Sequence, residues 1–104
     1  MKRLFISQPM KSKTDAEILS EREAAIKSAE KELGEKVEAI SSFFQNAPVG
    51  AKPLWFLGKS IKLLSAADVA YFAKGWESAR GCRIEHKCAA EYGIAIIEDN
   101  GKED

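Results

Sequence analysis

The chain has 104 residues, 16 Lys and Arg balanced by 16 Asp and Glu, and 45% hydrophobic residues. That length suits one domain with one hydrophobic core, and that apolar share excludes global disorder. Zero formal charge removes any general attraction to a nucleic acid polymer or an acidic membrane surface. No apolar run approaches the roughly 18 residues of a membrane span. The stretch at residues 4–6 is too short for a signal peptide, and two cysteines make no disulfide framework, so a reduced cytoplasmic setting is expected.

Leu4-Phe5-Ile6 reads as a buried strand. It stops at Ser7-Gln8-Pro9-Met10, because Pro9 has no N–H to give a ladder. Thr14 and Glu17 then have the spacing of a capping box. The helix they open carries Ile18, Leu19, Ala25, Ile26, Ala29 and Leu33 at helical spacing. Its charges read as a solvated outer face, and Gly34 ends it. Residues 36–40 form a second strand. Residues 41–53 are a long connection of the kind that serves as a lid, and Phe43 and Phe44 within it either cover a ligand or pack on the next helix.

That helix covers residues 54–66, with Leu54, Leu57, Gly58, Ile61 and Leu64 on one stripe. A third strand spans residues 68–73, opened by Asp68 as a cap or turn carboxylate, and residues 74–78 make a tight loop. A third helix runs over residues 79–92 to Gly93, and residues 94–97 are a fourth, fully apolar strand. From Glu98 the sequence turns polar. The domain is placed at residues 1–98, and residues 99–104 are a frayed tail.

Strands alternating with helices predict an α/β fold with right-handed crossovers and a parallel sheet covered on both faces. Such sheets bind ligands beyond the carboxyl ends of their strands. Three segments meet that condition: Ser7-Gln8-Pro9-Met10, the connection from Ser41, and residues 75–78.

The third helix is the most informative. On a helical wheel Ile84, Cys88, Gly81, Tyr92, Glu85, Ala89 and Cys82 share an arc of roughly 160°. Every charged residue except Glu85 lies outside it. A carboxylate on an apolar arc must be paired, hydrogen-bonded, protonated or set against a cavity. Glu85 lies less than two turns from the ligand end of the sheet, and Gly81, Cys82 and Ala89 leave room beside it. It is the candidate nucleophile or acid/base group; a structural ion pair with Arg80 or Arg83 is the alternative.

At the start of this helix, Ser78-Ala79-Arg80-Gly81 joins a hydroxyl, a guanidinium and a glycine, a pattern for an anion such as phosphate; Ser78 as a plain N-cap accounts for it equally. Trp76, after Gly75, is either a pocket wall or an edge core residue. The two cysteines, six apart on one helix, cannot pair with each other, no metal spacing exists, and the full phosphate-loop pattern is absent around Gly58-Lys59-Ser60. No metal and no cofactor is expected.

Three segments resemble the nucleoside 2-deoxyribosyltransferase-like proteins. Phe5-Ile6-Ser7-Gln8-Pro9-Met10 is similar to their first-strand motif, and Ala67-Asp68-Val69-Ala70-Tyr71-Phe72 to their third strand. Gly75-Trp76-Glu77-Ser78-Ala79-Arg80-Gly81-Cys82-Arg83-Ile84-Glu85-His86 looks like a variant found in small members. The resemblance implies a flavodoxin-like, Rossmann-like three-layer sandwich with a four-stranded parallel sheet in the order 2-1-3-4. It also implies chemistry at an N-glycosidic bond, with the glutamate at position 85 attacking the anomeric carbon. An aspartate of the transferases is replaced by Ala79 and a first-strand tyrosine by Phe5, and the chain ends after its fourth strand. A serine at the helix start resembles instead the nucleoside 5′-monophosphate N-glycosidase branch, where phosphate is held.

The expectation is therefore a nucleoside- or nucleotide-binding enzyme that cleaves or transfers at an N-glycosidic bond. Glu85 is catalytic; Ser7, Gln8, Pro9, Met10, Gly75, Trp76, Ser78, Arg80 and Gly81 hold the substrate. A non-catalytic nucleotide-binding or sensing module of the same fold is the alternative. An edge strand or the helix at 54–66 is expected to meet a second copy in a homodimer.

Overall fold

The computed structural model describes residues 1–99. The chain runs β1 (Lys2–Ser7), α1 (Asp15–Leu33), β2 (Val37–Ala39), α2 (Pro53–Leu64), β3 (Val69–Phe72), α3 (Arg80–Glu91) and β4 (Ala95–Glu98), with a 3-10 turn at Trp76–Ser78 before α3. Each helix return brings the next strand in parallel, and the sheet has the order β2-β1-β3-β4. This is the expected four-stranded parallel sheet between helical layers.

Local chemistry accounts for the boundaries. The Thr14 hydroxyl accepts from the Glu17 amide, and the Glu17 carboxylate accepts from the Thr14 amide, so α1 begins with a complete capping box. Gly34 closes α1 at φ 70, a left-handed position that suits glycine. Pro53 occupies the first turn of α2, where a missing N–H costs nothing. Asp68 sits at the amino end of β3 and accepts from the Arg3 amide at 2.8 Å, a turn carboxylate remote from the ligand end.

Alternation along β1 divides the core. Leu4 and Ile6 join Ala25, Ala29, Val69 and Tyr71 under α1, whereas Phe5 joins Leu64, Ala70, Phe72 and Ala89 under α2 and α3. The fourth strand lies one residue later than the expected 94–97. Its apolar run is only half-buried, with Ala95 exposed, because β4 is the sheet edge. The ladder also continues past the apolar run: Glu98 pairs with Phe72, and the Asp99 amide donates to the Phe72 carbonyl at 2.8 Å. The rest of the expected tail, residues 100–104, lies outside the described residues.

Two helix faces are also rotated from the simplest wheel. In α1, Leu19 is exposed and Arg22 is buried in line with Ile18, Ala25 and Ala29. In α3, Ile84 and Tyr92 face outward, and the buried stripe is Cys82, Glu85 and Ala89. Glu85 thus belongs to the innermost face of its helix. Among the described residues, no helix is long and apolar enough to cross a membrane.

Candidate functional site

The site grows from the carboxyl end of β1. Ser7 has the parity of Phe5 and points to the α3 side of the sheet; Gln8 points the other way. The Ser7 hydroxyl donates to Glu85 Oε1 at 2.6 Å, joining β1 to α3 across 78 positions of sequence. Beside this pair lies a cleft of about 270 Å³. Ser7, Gln8, Pro9 and Met10 form one wall; Pro53, Phe56, Leu57 and Ser60 of α2 form another; Ala79, Gly81, Cys82 and Glu85 close the third.

Glu85 is 8% exposed. Among the described residues no lysine, arginine or histidine forms an ion pair with it, and Arg83 instead donates to the Glu77 carbonyl. The structural ion pair with Arg83 is therefore absent. Burial pushes the Glu85 carboxyl above the ordinary carboxylate range, while the Ser7 and Ser60 hydroxyls pull it partway back by stabilising the charged form. Burial likewise raises the neighbouring Cys82 thiol, which the Glu85 charge raises further and Ser7 partly offsets. A carboxylate held by neutral hydroxyls, without a cation, keeps its charge available to a ligand with developing positive charge.

A second hollow of about 590 Å³ adjoins the first through Pro9, Met10, Ala79 and Gly81, and adds Lys11, Ser78 and Arg80. It opens over the amino terminus of α3. The N-cap there is Ala79, which has no capping side chain. Ser78 is not the N-cap, as its hydroxyl turns back to donate to the Gly75 carbonyl at 3.0 Å. The helix thus presents its first amides and Arg80 toward the hollow without a side-chain cap, and Lys11 joins them from the loop after β1.

Gly75 and Trp76 line neither hollow. Gly75 turns the chain at φ 87, and a Cβ there would meet Pro9 Cγ at 3.6 Å, so its conformation keeps the β3 turn close to the β1 loop. Trp76 stacks on His86 with ring centroids 4.1 Å apart and planes 7° from parallel, and its buried Nε1 has no hydrogen-bond partner among the described residues. His86 Nε2 lies 2.6 Å from Glu98 Oε2. This group fastens α3 to β4 on a helix face about 100° around from Glu85. Phe44 packs edge-on against Trp55 of α2, 6.0 Å between centroids, which is the packing alternative rather than a cover over the cleft.

Sequence reasoning missed two features. The first is Arg22, also 8% exposed, which donates to Gln8 Oε1 at 3.0 Å, the Ile40 carbonyl at 3.1 Å and Ser42 Oγ at 3.0 Å. Gln8 completes the network by donating to the Ile18 carbonyl and Glu21. The spacing of Ile18, Arg22, Ala25 and Ala29 carries the same signal that singled out Glu85. The second is the contribution of α2, whose stripe reads as ordinary core. Among the described residues no group of three or more His, Cys, Asp or Glu side chains is arranged to hold a metal ion.

The model of a domain of unknown function (DUF4406) matches residues 2–98, and the chain belongs to that family. No curated protein matches the chain.

Proposed function

We propose that this DUF4406 protein binds a nucleotide in the joined hollows and cleaves or transfers at its N-glycosidic bond, with Glu85 as nucleophile. The observation that carries the reading is the buried Glu85 carboxylate, oriented by Ser7 and paired with no cation among the described residues, beside a cleft of about 270 Å³. In the forward step a Glu85 oxygen bonds to the anomeric carbon as the carbon–nitrogen bond breaks. The base leaves with that electron pair and takes a proton from solvent at the open mouth. Water or a second base then attacks the same carbon as its bond to the Glu85 oxygen breaks; the carboxylate leaves with that electron pair, and the incoming group gives up a proton to solvent. The transition state is oxocarbenium-like, so a fixed anion beside it lowers the barrier.

The adjoining hollow supports a phosphate on the sugar, held by Arg80, Lys11 and the amino end of α3. Pro9 and Met10 border both hollows, which suits one ligand spanning them. The exposed edge of β4 supports pairing with a second copy of the chain, which scattering in solution reads as a doubled mass.

Incubation with nucleoside 5′-monophosphates and with deoxynucleosides, followed by chromatography of free base, tests the assignment. Base release that disappears in Glu85→Gln supports it. Ligand-dependent thermal stabilisation without release makes the protein a nucleotide-binding module, and the absence of both removes the nucleotide reading.

A further inference from the structure

We propose that the α2 wall of the cleft is a stacking slot that takes a nucleobase by its flat face and leaves its edge unread, so that purine and pyrimidine nucleotides are accepted alike. This rests on the nucleotide reading above and adds how the base is recognised.

Of the polar side chains that line the cleft, Ser7, Gln8 and Ser42 are already engaged in hydrogen bonds. The Ser7 hydroxyl donates to Glu85, and Ser60 faces the same carboxylate. Ser42 Oγ donates to the Ile6 carbonyl and accepts from Arg22. The Gln8 amide donates to Ile18 and Glu21 and accepts from Arg22. Base edges are distinguished by their donors and acceptors; using Ser7, Ser42 or Gln8 for that purpose strips a buried partner of its hydrogen bond, and the Ser60 hydroxyl, which rotates to donate or accept, does not tell one edge from another.

Apart from the Cys82 thiol on the α3 wall, the remaining side chains facing the space are apolar, with Pro9 and Met10 on one side and Pro53, Phe56 and Leu57 on the other. Phe56 is 36% exposed at the mouth and is steadied edge-on by Trp55, 5.0 Å between centroids. Every base has a π-face, so an aromatic wall binds all of them, and an apolar pocket discriminates weakly between flat ligands. Trp76 does not serve, since its ring lies against His86.

Calorimetric titration of the full chain with the 5′-monophosphates of adenosine, guanosine, cytidine and uridine, and with ribose 5-phosphate, tests the slot. The four nucleotides are expected within about 10-fold of one another, purines tightest, and all tighter than ribose 5-phosphate by roughly 10-fold. Phe56→Ala erases most of the gap between nucleotides and ribose 5-phosphate, and Phe56→Trp restores it. A preference above about 100-fold for one base overturns the inference, as does equal binding of nucleotides and ribose 5-phosphate. Either result leaves the N-glycosidic reading standing. Binding of none of the five overturns both.

Discussion

Arg22 and Glu85 are two charged side chains equally buried, at 8% exposure, on helices that cover opposite faces of the sheet beside the carboxyl end of β1. Consecutive residues of the chain address them, Gln8 meeting Arg22 and Ser7 meeting Glu85. What lies beyond each group differs. Arg22 ends in protein acceptors that tie α1 to the loops after β1 and β2, and it lines neither of the two hollows. Glu85 has a hydroxyl on one oxygen and open space beside it. Burial of charge therefore does not by itself mark function: a charge surrounded by fixed partners holds the fold together, whereas a charge whose surroundings stop at a void is placed to meet a ligand.

The largest expected effect separates the two by activity. Glu85→Gln lowers base release by at least about 100-fold, because the amide lacks the charge that stabilises the oxocarbenium ion. Far-ultraviolet circular dichroism of the variant remains that of the parent, as Gln keeps the shape of the side chain. Activity that survives the substitution places the chemistry elsewhere and breaks the contrast.

Arg22→Met shows the opposite behaviour. The Gln8, Ile40 and Ser42 oxygens lose their donor, and the protein loses about 3 kcal/mol of stability. For a domain of this size that lowers Tm by roughly 10–20 °C. An unchanged melting curve would show that Arg22 is no structural tie.

The pH response sharpens the comparison further. Burial raises the folded-state pKa of Glu85 above its unfolded value. As pH climbs from about 4.3, the ordinary glutamate value, the unfolded chain releases this proton before the native one does. Stability contributed at Glu85 is therefore full at lower pH and falls until the raised folded pKa is passed. The stability of Glu85→Gln relative to the parent rises over that window, measurable by urea unfolding at stepped pH. Base release by the parent rises over the same window, because the nucleophile must be ionised. A flat stability difference contradicts the burial cost.

The smallest effect concerns the two helix starts. α1 has a complete capping box, and α3 begins at Ala79 with none. Ala79→Asp supplies a cap and raises stability by about 0.5–1 kcal/mol. Ala79 borders both hollows, and the same carboxylate repels a phosphate at the second, so affinity for nucleoside monophosphates falls further than that for unphosphorylated nucleosides. Equal loss for both ligand classes would remove the phosphate from this hollow.

Much of this was legible in the residues. The order of apolar runs and helical stripes fixed a parallel α/β sheet, and the misfit of Glu85 on an apolar arc marked the innermost face of α3. The same wheel applied to α1 finds Arg22, but a helix with charges on every turn reads as solvated, and the buried one is lost among them. Trp76 illustrates another limit. Its place after β3 put it at the ligand end of the sheet, yet the ring's orientation depended on His86, ten residues away on the next helix.

The sequence by itself determined periodicity: the order of strands and helices, and where Thr14 and Gly34 start and stop α1. Those properties are local, set by backbone geometry and side chains a few positions apart. The tertiary structure alone decided that Ser7 meets Glu85 across 78 positions and that α2 brings Phe56 and Ser60 to the cleft. Such pairings follow from how helices settle on the sheet, where the free energy depends on the packing of whole faces and on no single stretch of chain.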